Sequence, residues 1–138
     1  TRVDIWIQAI NFILEKPLLG WGAGSFPILY SLENNNWIAH PHNISLELAH
    51  SYGLPASILF TITVVIILYK SFSRIYLNHS YSQDNLFDKA WWTSTFTLFL
   101  SQMVDVQYFD FRISFALWIL LSGLVSIINN EKYTNQIP

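Results

Sequence analysis

The sequence predicts an all-α protein: a fragment of a polytopic helical membrane protein, with three transmembrane helices after an extracytoplasmic helix-loop-helix segment. Hydrophobic residues make up 52% of the 138 residues, and charged residues only 12%, about half the usual share. So few charges cannot cover the surface of a soluble core. Three long runs in the second part of the chain contain no charged residue at all. The chain opens with Thr1 and finishes soon after its last apolar run, so we expect the C-terminal part of a longer protein.

Composition also excludes several classes of function. The net charge of -2 provides no basic field for a nucleic acid, so we expect no nucleic-acid partner. The sequence contains no cysteine, which excludes disulfides, thiol catalysis and zinc-thiolate sites within these residues.

The first predicted element is a helix from Arg2 to Glu15. Its polar side chains recur at spacings of four, three and four residues and form one narrow stripe, which consists of Asp4, Gln8, Asn11 and Glu15. Such a helix is apolar on most sides and lies in a membrane interface or packs between other helices. Lys16-Pro17 is expected to end it, because the residue before a proline disfavours helical geometry.

A glycine-rich segment, Leu18 to Pro27, follows this helix. Its alternating glycines allow positive backbone φ angles and predict a tight, partly buried turn. A phosphate-cradling glycine loop should follow a strand and open a helix, whereas this segment follows a helix, so a dinucleotide site is disfavoured. The polar cluster Glu33 to Asn36 predicts a solvated loop.

The stretch from His40 to Pro55 holds three of the four histidines. Asn43 or His42 can cap a helix that runs to Tyr52, Gly53 suits a left-handed C-terminal cap, and Pro55 suits the first turn of the next helix. His42 is therefore expected at a helix N-terminus. Free N–H groups and the helix dipole there favour anions and help an imidazole to stay neutral.

Three interpretations of these histidines remain open on the residues alone. The first is structural hydrogen bonding, and the second is acid-base catalysis at a membrane surface. The third is metal ligation, with His40, His42, Glu47 and His50 as candidate ligands. The metal interpretation is the weakest of the three, because the order of these residues is not the helical His-Glu-x-x-His pattern.

The predicted spans lie near residues 54–72, 90–104 and 113–128, so the chain divides into an extracytoplasmic segment, 1–53, and a transmembrane part, 54–138. In the first span Lys70 is expected to snorkel to the interface, and in the second Trp91 and Trp92 suit an interfacial aromatic belt. The third span carries small residues suited to close helix contact, namely Ser122, Gly123 and Ser126.

The cations predict the orientation of these spans. Four of them flank the ends of the predicted spans that would lie on one side of the membrane: Lys70, Arg74, Lys89 and Lys132. By the positive-inside rule the 71–89 loop and the C-terminus are cytoplasmic, and residues 1–53 and 105–112 are extracytoplasmic. In the second of these segments we expect Asp105, Asp110 and Arg112 to form an ion pair across the turn; a contribution to an active site is the alternative.

Several of these motifs together resemble the O-antigen ligase and polymerase family of bacterial membrane proteins, in its C-terminal part. The resemblance rests on Arg2 followed by Trp6, then on Pro17 to Phe26, His42 to Glu47 and Gly53-Leu54-Pro55. It covers residues 1 to about 70 by motif, and the remaining spans by topology.

The resemblance implies a membrane glycosyltransferase that needs no metal or other cofactor. It implies transfer of a glycan from an undecaprenyl-pyrophosphate carrier to a lipid or glycan acceptor, on the extracytoplasmic face of the bacterial inner membrane. Arg2 and His42 occupy the positions implied to carry function. An Arg offers phosphate oxygens a planar fork of donors, and a His can deprotonate an acceptor hydroxyl. We also expect His40 and Asn43 to contribute to substrate binding.

Three other functions stay open. A polymerase would perform the same transfer on a growing glycan, and a membrane scaffold would perform no chemistry. A small-anion transporter, for example of inorganic carbon, should carry ionisable residues at mid-span and Gly or Pro breaks in paired spans. The predicted spans have apolar centres instead, which favours the glycosyltransferase.

Overall fold

The computed structural model describes residues 1–77, 85–107 and 109–129, and within them every regular element is helical. The helices are α1 (Arg2–Glu15), α2 (Phe26–Asn34), α3 (Ile44–Tyr52), α4 (Leu54–Phe72), α5 (Leu86–Val104) and α6 (Phe111–Asn129), and a π-helical turn, Ser73–Leu77, follows α4. The predicted all-α class is confirmed for this part of the chain. Residues 78–84 of the predicted cytoplasmic loop, which include His79, and the tail 130–138, which includes Lys132, lie outside the described residues.

Most helices occur where the sequence predicts them. Helices α1 and α4 have the predicted bounds, and α5 and α6 extend beyond the apolar runs by a few residues. Helix α2 was not predicted, so the expected helix-loop-helix segment contains three helices. Glu33, expected in a loop, lies in the last turn of α2, and Asn35 ends that helix in the left-handed conformation with φ of 50°. Pro27 is tolerated because the first turn of a helix needs no N–H donor.

The described residues form two compact units. Unit 1 contains residues 1–62 and 101–109, and unit 2 contains residues 63–100 and the chain from Asp110 onward.

Unit 1 is built around one face of α1. Its core consists of Ile5, Ala9, Phe12, Phe26 and Tyr30. The opposite side of α1 is also apolar but exposed, as Ile7 and Leu14 illustrate. This distribution agrees with the predicted helix that is apolar on most sides.

The glycine-rich turn of unit 1 packs against the end of α3. Trp21 N donates to His50 O at 2.8 Å, and Gly22 N donates to Ser51 O at 3.0 Å. Gly20 has φ of +68°, and a Cβ atom there would lie 2.6 Å from His50 O. The predicted tight, partly buried turn is confirmed. Gly53 caps α3 with φ of 89° and ψ of 163°, a positive φ but not the left-handed helical conformation that the sequence predicted.

Unit 2 is held by aromatic residues between its helices. Trp91 Nε1 donates to Leu120 O at 2.9 Å and Trp92 Nε1 donates to Leu68 O at 3.0 Å. The Trp91 ring also lies directly over Gly123, where a Cβ would overlap it. The predicted close helix contact at Gly123 is therefore present, and both indoles bond to neighbouring helices.

Two helical segments among the described residues are long and apolar enough to cross a membrane, Leu54–Leu77 and Phe111–Asn129. Helix α5 is not one of them, so the second predicted span, near residues 90–104, is not confirmed. The physical reason lies in its composition, because its first turns contain Asp88 and Lys89 and polar Thr95 and Gln102 follow.

Candidate functional site

His42 has an unusual backbone conformation just before α3. Its φ is 54°, and Asn35 is the other non-glycine residue with positive φ among the described residues. The preceding Pro41 is buried, and its carbonyl accepts a hydrogen bond from Trp6 Nε1 at 2.8 Å. Such conformations cost free energy in non-glycine residues and cluster at functional sites.

Asn43, not His42, caps α3. Its Oδ1 accepts hydrogen bonds from Ser45 N at 3.0 Å and Leu46 N at 3.1 Å, and its Nδ2 donates to Met103 O at 3.1 Å. The side chain thus occupies two N–H groups at the helix N-terminus. These donors are not free for an anion, which corrects the expectation of an anion-attracting terminus beside His42.

Asp105 lies beside the His42 ring. His42 Nδ1 and Asp105 Oδ1 are 2.9 Å apart, and the two side chains are 28% and 50% exposed. The hydrogen bond from His42 lowers the pKa of Asp105 below its usual value, and the charges of His42, His40 and Arg2 act in the same direction. A carboxylate only accepts hydrogen bonds, so His42 Nδ1 is the donor, and in the neutral form of this ring Nε2 carries the lone pair.

His40 lies against the same ring. The His40 and His42 ring centroids are 4.6 Å apart, and the Phe109 ring stacks with His40 at a centroid distance of 6.0 Å. His42 N donates to His40 Nδ1 at 3.3 Å, so the His40 ring proton belongs on Nε2. Burial lowers the pKa of His40, and the nearby charge of His42 lowers it further.

Arg2 reaches the same part of the chain from the start of α1. Its Nη1 donates to Val104 O at 3.0 Å, next to Asp105 in sequence. The guanidinium is exposed, and this bond uses one of its five N–H donors. Residues from α1, from the loop before α3 and from the segment after α5 therefore meet here.

The four residues considered as candidate metal ligands, His40, His42, Glu47 and His50, do not form one cluster. Glu47 Oε1 accepts a hydrogen bond from Ser51 Oγ at 2.9 Å. His50 is fully buried and its Nε2 lies 3.0 Å from Ser25 Oγ. Within the described ranges, the group that could hold a metal is instead His40, His42 and Asp105, with one ligand atom of each within 4.8 Å of the others.

Asp105 is the site residue that the sequence analysis assigned to a different partner. The predicted ion pair forms between Arg112 and Asp110, with Nη2 and Oδ2 at 3.0 Å, whereas Asp105 bonds to His42. A carboxylate directly after an apolar helix, on the same predicted side as His42, was the available signal. It could not identify the partner, because the two residues are 63 positions apart.

Comparison with known proteins gives one match. Residues 1–61 match the family model described as O-antigen ligase, and they include Arg2, His40, His42 and Asn43. No curated protein and no solved structure matches the chain. The resemblance predicted from the sequence motifs is therefore confirmed over these residues.

Proposed function

Starting from the O-antigen ligase match of residues 1–61, we propose that this chain carries the base of a glycan ligase. The enzyme transfers a glycan from an undecaprenyl-pyrophosphate carrier to an acceptor hydroxyl on the extracytoplasmic face of the inner membrane. The observation that carries the proposal is the 2.9 Å contact between His42 Nδ1 and Asp105 Oδ1. It orients the ring with Nδ1 toward the carboxylate, so that Nε2 of the neutral imidazole is the atom available to accept a proton.

The proposed reaction is a direct displacement. His42 Nε2 takes the proton of the acceptor hydroxyl while the acceptor oxygen forms a bond to the anomeric carbon of the donor glycan. The bond between that carbon and the pyrophosphate oxygen breaks, and the electron pair leaves with the pyrophosphate. Because one face of the sugar is attacked as the opposite bond breaks, the anomeric configuration inverts. The protonated His42 is stabilised by Asp105.

The other site residues bind and position. The exposed Arg2 guanidinium keeps N–H donors for phosphate oxygens and stabilises the charge on the leaving group. Asn43 was expected to bind substrate, but its amide already bonds to α3 and to Met103, so we assign it to positioning His42. His40 Nε2–H remains a donor for a glycan hydroxyl. No metal takes part in these steps.

The test is glycan transfer by the full-length protein in detergent or liposomes. His42→Ala should lose roughly two to four orders of magnitude in rate, the usual contribution of general acid-base catalysis. Asp105→Asn should lower kcat with little change in KM. The amide has no negative charge to stabilise the protonated His42, and its NH2 group can face Nδ1 and favour the other tautomer. His40→Ala should cost less than His42→Ala, since only His42 carries the base.

Asp110→Asn is the matched control, because it removes a carboxylate from the same short segment but bonds to Arg112 instead of His42. Its rate should be unchanged. Melting temperatures separate a rate defect from misfolding, and EDTA should leave the wild-type rate intact. Undiminished transfer by a folded His42→Ala protein would remove the catalytic assignment.

A further inference from the structure

The cluster of His40, His42 and Asp105 also has the composition of a transition-metal site. Two imidazoles and one carboxylate are ligands that zinc and cobalt prefer, whereas magnesium and calcium prefer oxygen alone. One ligand atom from each residue lies within 4.8 Å of the other two. Ligand atoms around a tetrahedral zinc ion are roughly 3.3 Å apart, given bonds of ~2.0 Å. The His42 Nδ1 and Asp105 Oδ1 atoms, at 2.9 Å, are already close to this spacing.

The backbone around the three ligands is held in place before any ion binds. Asn43 Nδ2 bonds to Met103 O and Arg2 Nη1 bonds to Val104 O, so two side chains tie down the residues just before Asp105. Trp6 Nε1 fixes the carbonyl of Pro41. The ligands themselves are half-buried, so an ion can enter from solvent, and rotation of the side chains can close the remaining distance.

We propose that a zinc-class divalent cation binds His40, His42 and Asp105 and reversibly inhibits the enzyme. This inference rests on the proposed function of His42. In the free enzyme the His42 proton lies on Nδ1, toward Asp105. The cation replaces that proton between Nδ1 and Oδ1. The imidazole stays neutral and keeps its one proton, which moves to Nε2 by exchange with solvent. Nε2 then has no lone pair to accept a proton from the acceptor hydroxyl.

One neighbouring charge limits the affinity. Arg2 lies close enough to influence the pKa of Asp105, and its positive charge repels a cation from the same carboxylate. A site of this kind binds more weakly than a closed structural zinc site with four ligands, and an added chelator should remove the ion.

The binding arm of the test uses Co²⁺ as a spectroscopic probe and Zn²⁺ as its competitor, on the purified full-length protein. We expect one equivalent of Co²⁺ with the visible spectrum of a tetrahedral site, displaced by Zn²⁺ and not by Mg²⁺. His40→Gln and Asp105→Asn should each weaken binding about tenfold or more, because each removes a ligand. Asp110→Asn should bind as the wild type does. Absence of a saturable spectrum, or equal binding by all variants, would overturn the site.

The activity arm uses the wild-type protein. Transfer should fall as Zn²⁺ is added and recover fully with EDTA, and EDTA alone should not abolish it. Loss of activity in EDTA alone would make the ion a required cofactor and contradict inhibition; binding of Zn²⁺ without inhibition would contradict it as well. Because the spectrum does not depend on glycan transfer, failure of the metal site and failure of the base assignment at His42 give different results.

Discussion

At the residue scale, Arg2 makes one observed contact, and we propose a second role for it in binding phosphate. One N–H group bonds to Val104 O and helps to hold the segment before Asp105, while the remaining donors face solvent. A lysine ammonium could keep a single bond to a carbonyl, but it cannot present two parallel N–H groups to a phosphate. A conservative substitution can therefore distinguish the two tasks.

We predict that Arg2→Lys loses most of its transfer activity while its melting temperature stays close to that of the wild type. The positive charge remains, so a loss would reflect the missing planar fork. Arg112→Lys is the matched control, because Arg112 is exposed and pairs with Asp110. Full activity of Arg2→Lys in the reconstituted assay would reduce Arg2 to a surface charge.

His50 carries a second, independent prediction at the residue scale. It is fully buried, with Nε2 at 3.0 Å from Ser25 Oγ, and edges of Phe12 and Phe26 lie against its ring. Burial lowers the pKa of His50 from 6.5 to about 4. The unfolded chain therefore binds a proton more readily than the folded one. This contribution to stability is complete above pH 6.5 and is lost as the pH falls from 6.5 towards 4.

We predict that acidification through this range lowers the melting temperature of the wild type more than that of His50→Gln, whose side chain does not titrate. The full effect is on the order of 3 kcal/mol. Glu47, also buried on α3, opposes it, because burial raises the pKa of Glu47 and its folded state takes up a proton first. The fall in melting temperature on acidification should therefore be larger in Glu47→Gln than in the wild type. Equal pH dependence in wild type and His50→Gln would contradict the assignment.

At the scale of elements, the glycine-rich turn and α3 depend on each other. Gly20 and Gly24 both have positive φ, of +68° and +75°, but their surroundings differ. A Cβ on Gly20 would lie 2.6 Å from His50 O, whereas a Cβ on Gly24 would meet nothing within 4 Å. The pair therefore separates backbone strain from steric overlap.

We predict that Gly24→Ala costs about 1 to 2 kcal/mol, the usual penalty for a left-handed conformation. Gly20→Ala pays the same penalty and must also push the turn away from α3, breaking the bond from Trp21 N to His50 O. Its melting temperature should be clearly lower than that of Gly24→Ala. Equal melting temperatures would show that the turn can move away from α3 without loss.

The same elements indicate what the sequence could predict. The stripe on α1 and the apolar run of α4 are local patterns that appear at their predicted positions, and the cap of α3, expected at Asn43 or His42, is at Asn43. Helix α2 was missed because Pro27 and the Glu33 to Asn36 cluster are signals of a turn in isolation. In the structure Pro27 lies in the first turn of α2 and Asn35 ends it. The helix between them is stabilised by burial of Phe26 and Tyr30 in the core of unit 1.

The site was predictable only in part. His42 and Arg2 could be proposed because the motifs around them are short and local, and both lie in the residues that match the O-antigen ligase model. The bond from Asp105 to His42 could not, because it joins residues 63 positions apart and depends on how helices pack. Arg112 lies close in sequence to both Asp105 and Asp110, so an ion pair within the turn was the local expectation for Asp105. In the structure Arg112 pairs with Asp110 instead.

At the scale of the whole molecule, the proposed chemistry requires a particular topology. A pyrophosphate-linked donor on the extracytoplasmic face can meet His42 only if residues 1–53 lie on that side. The cations around the apolar runs favour this orientation, since Lys70 and Arg74 lie near the C-terminal end of the Leu54–Leu77 segment and Lys89 lies in the first turn of α5. Membrane sidedness can be tested with introduced cysteines, because these 138 residues contain no native cysteine, and any cysteine elsewhere in the full-length protein is first replaced.

We predict that a cysteine at Asn35 reacts with an impermeant thiol reagent in intact cells and that a cysteine at Ser82 reacts only after the membrane is permeabilised. Asn35 is exposed at the end of α2, so its accessibility depends on sidedness and not on burial. Ser82 lies in the predicted cytoplasmic loop and outside the described residues, and labelling after permeabilisation controls for its accessibility. The reverse pattern, with Ser82 labelled in intact cells and Asn35 protected, would place His42 on the cytoplasmic side. Transfer to an extracytoplasmic acceptor would then be impossible, whatever the chemistry of the His42 and Asp105 pair.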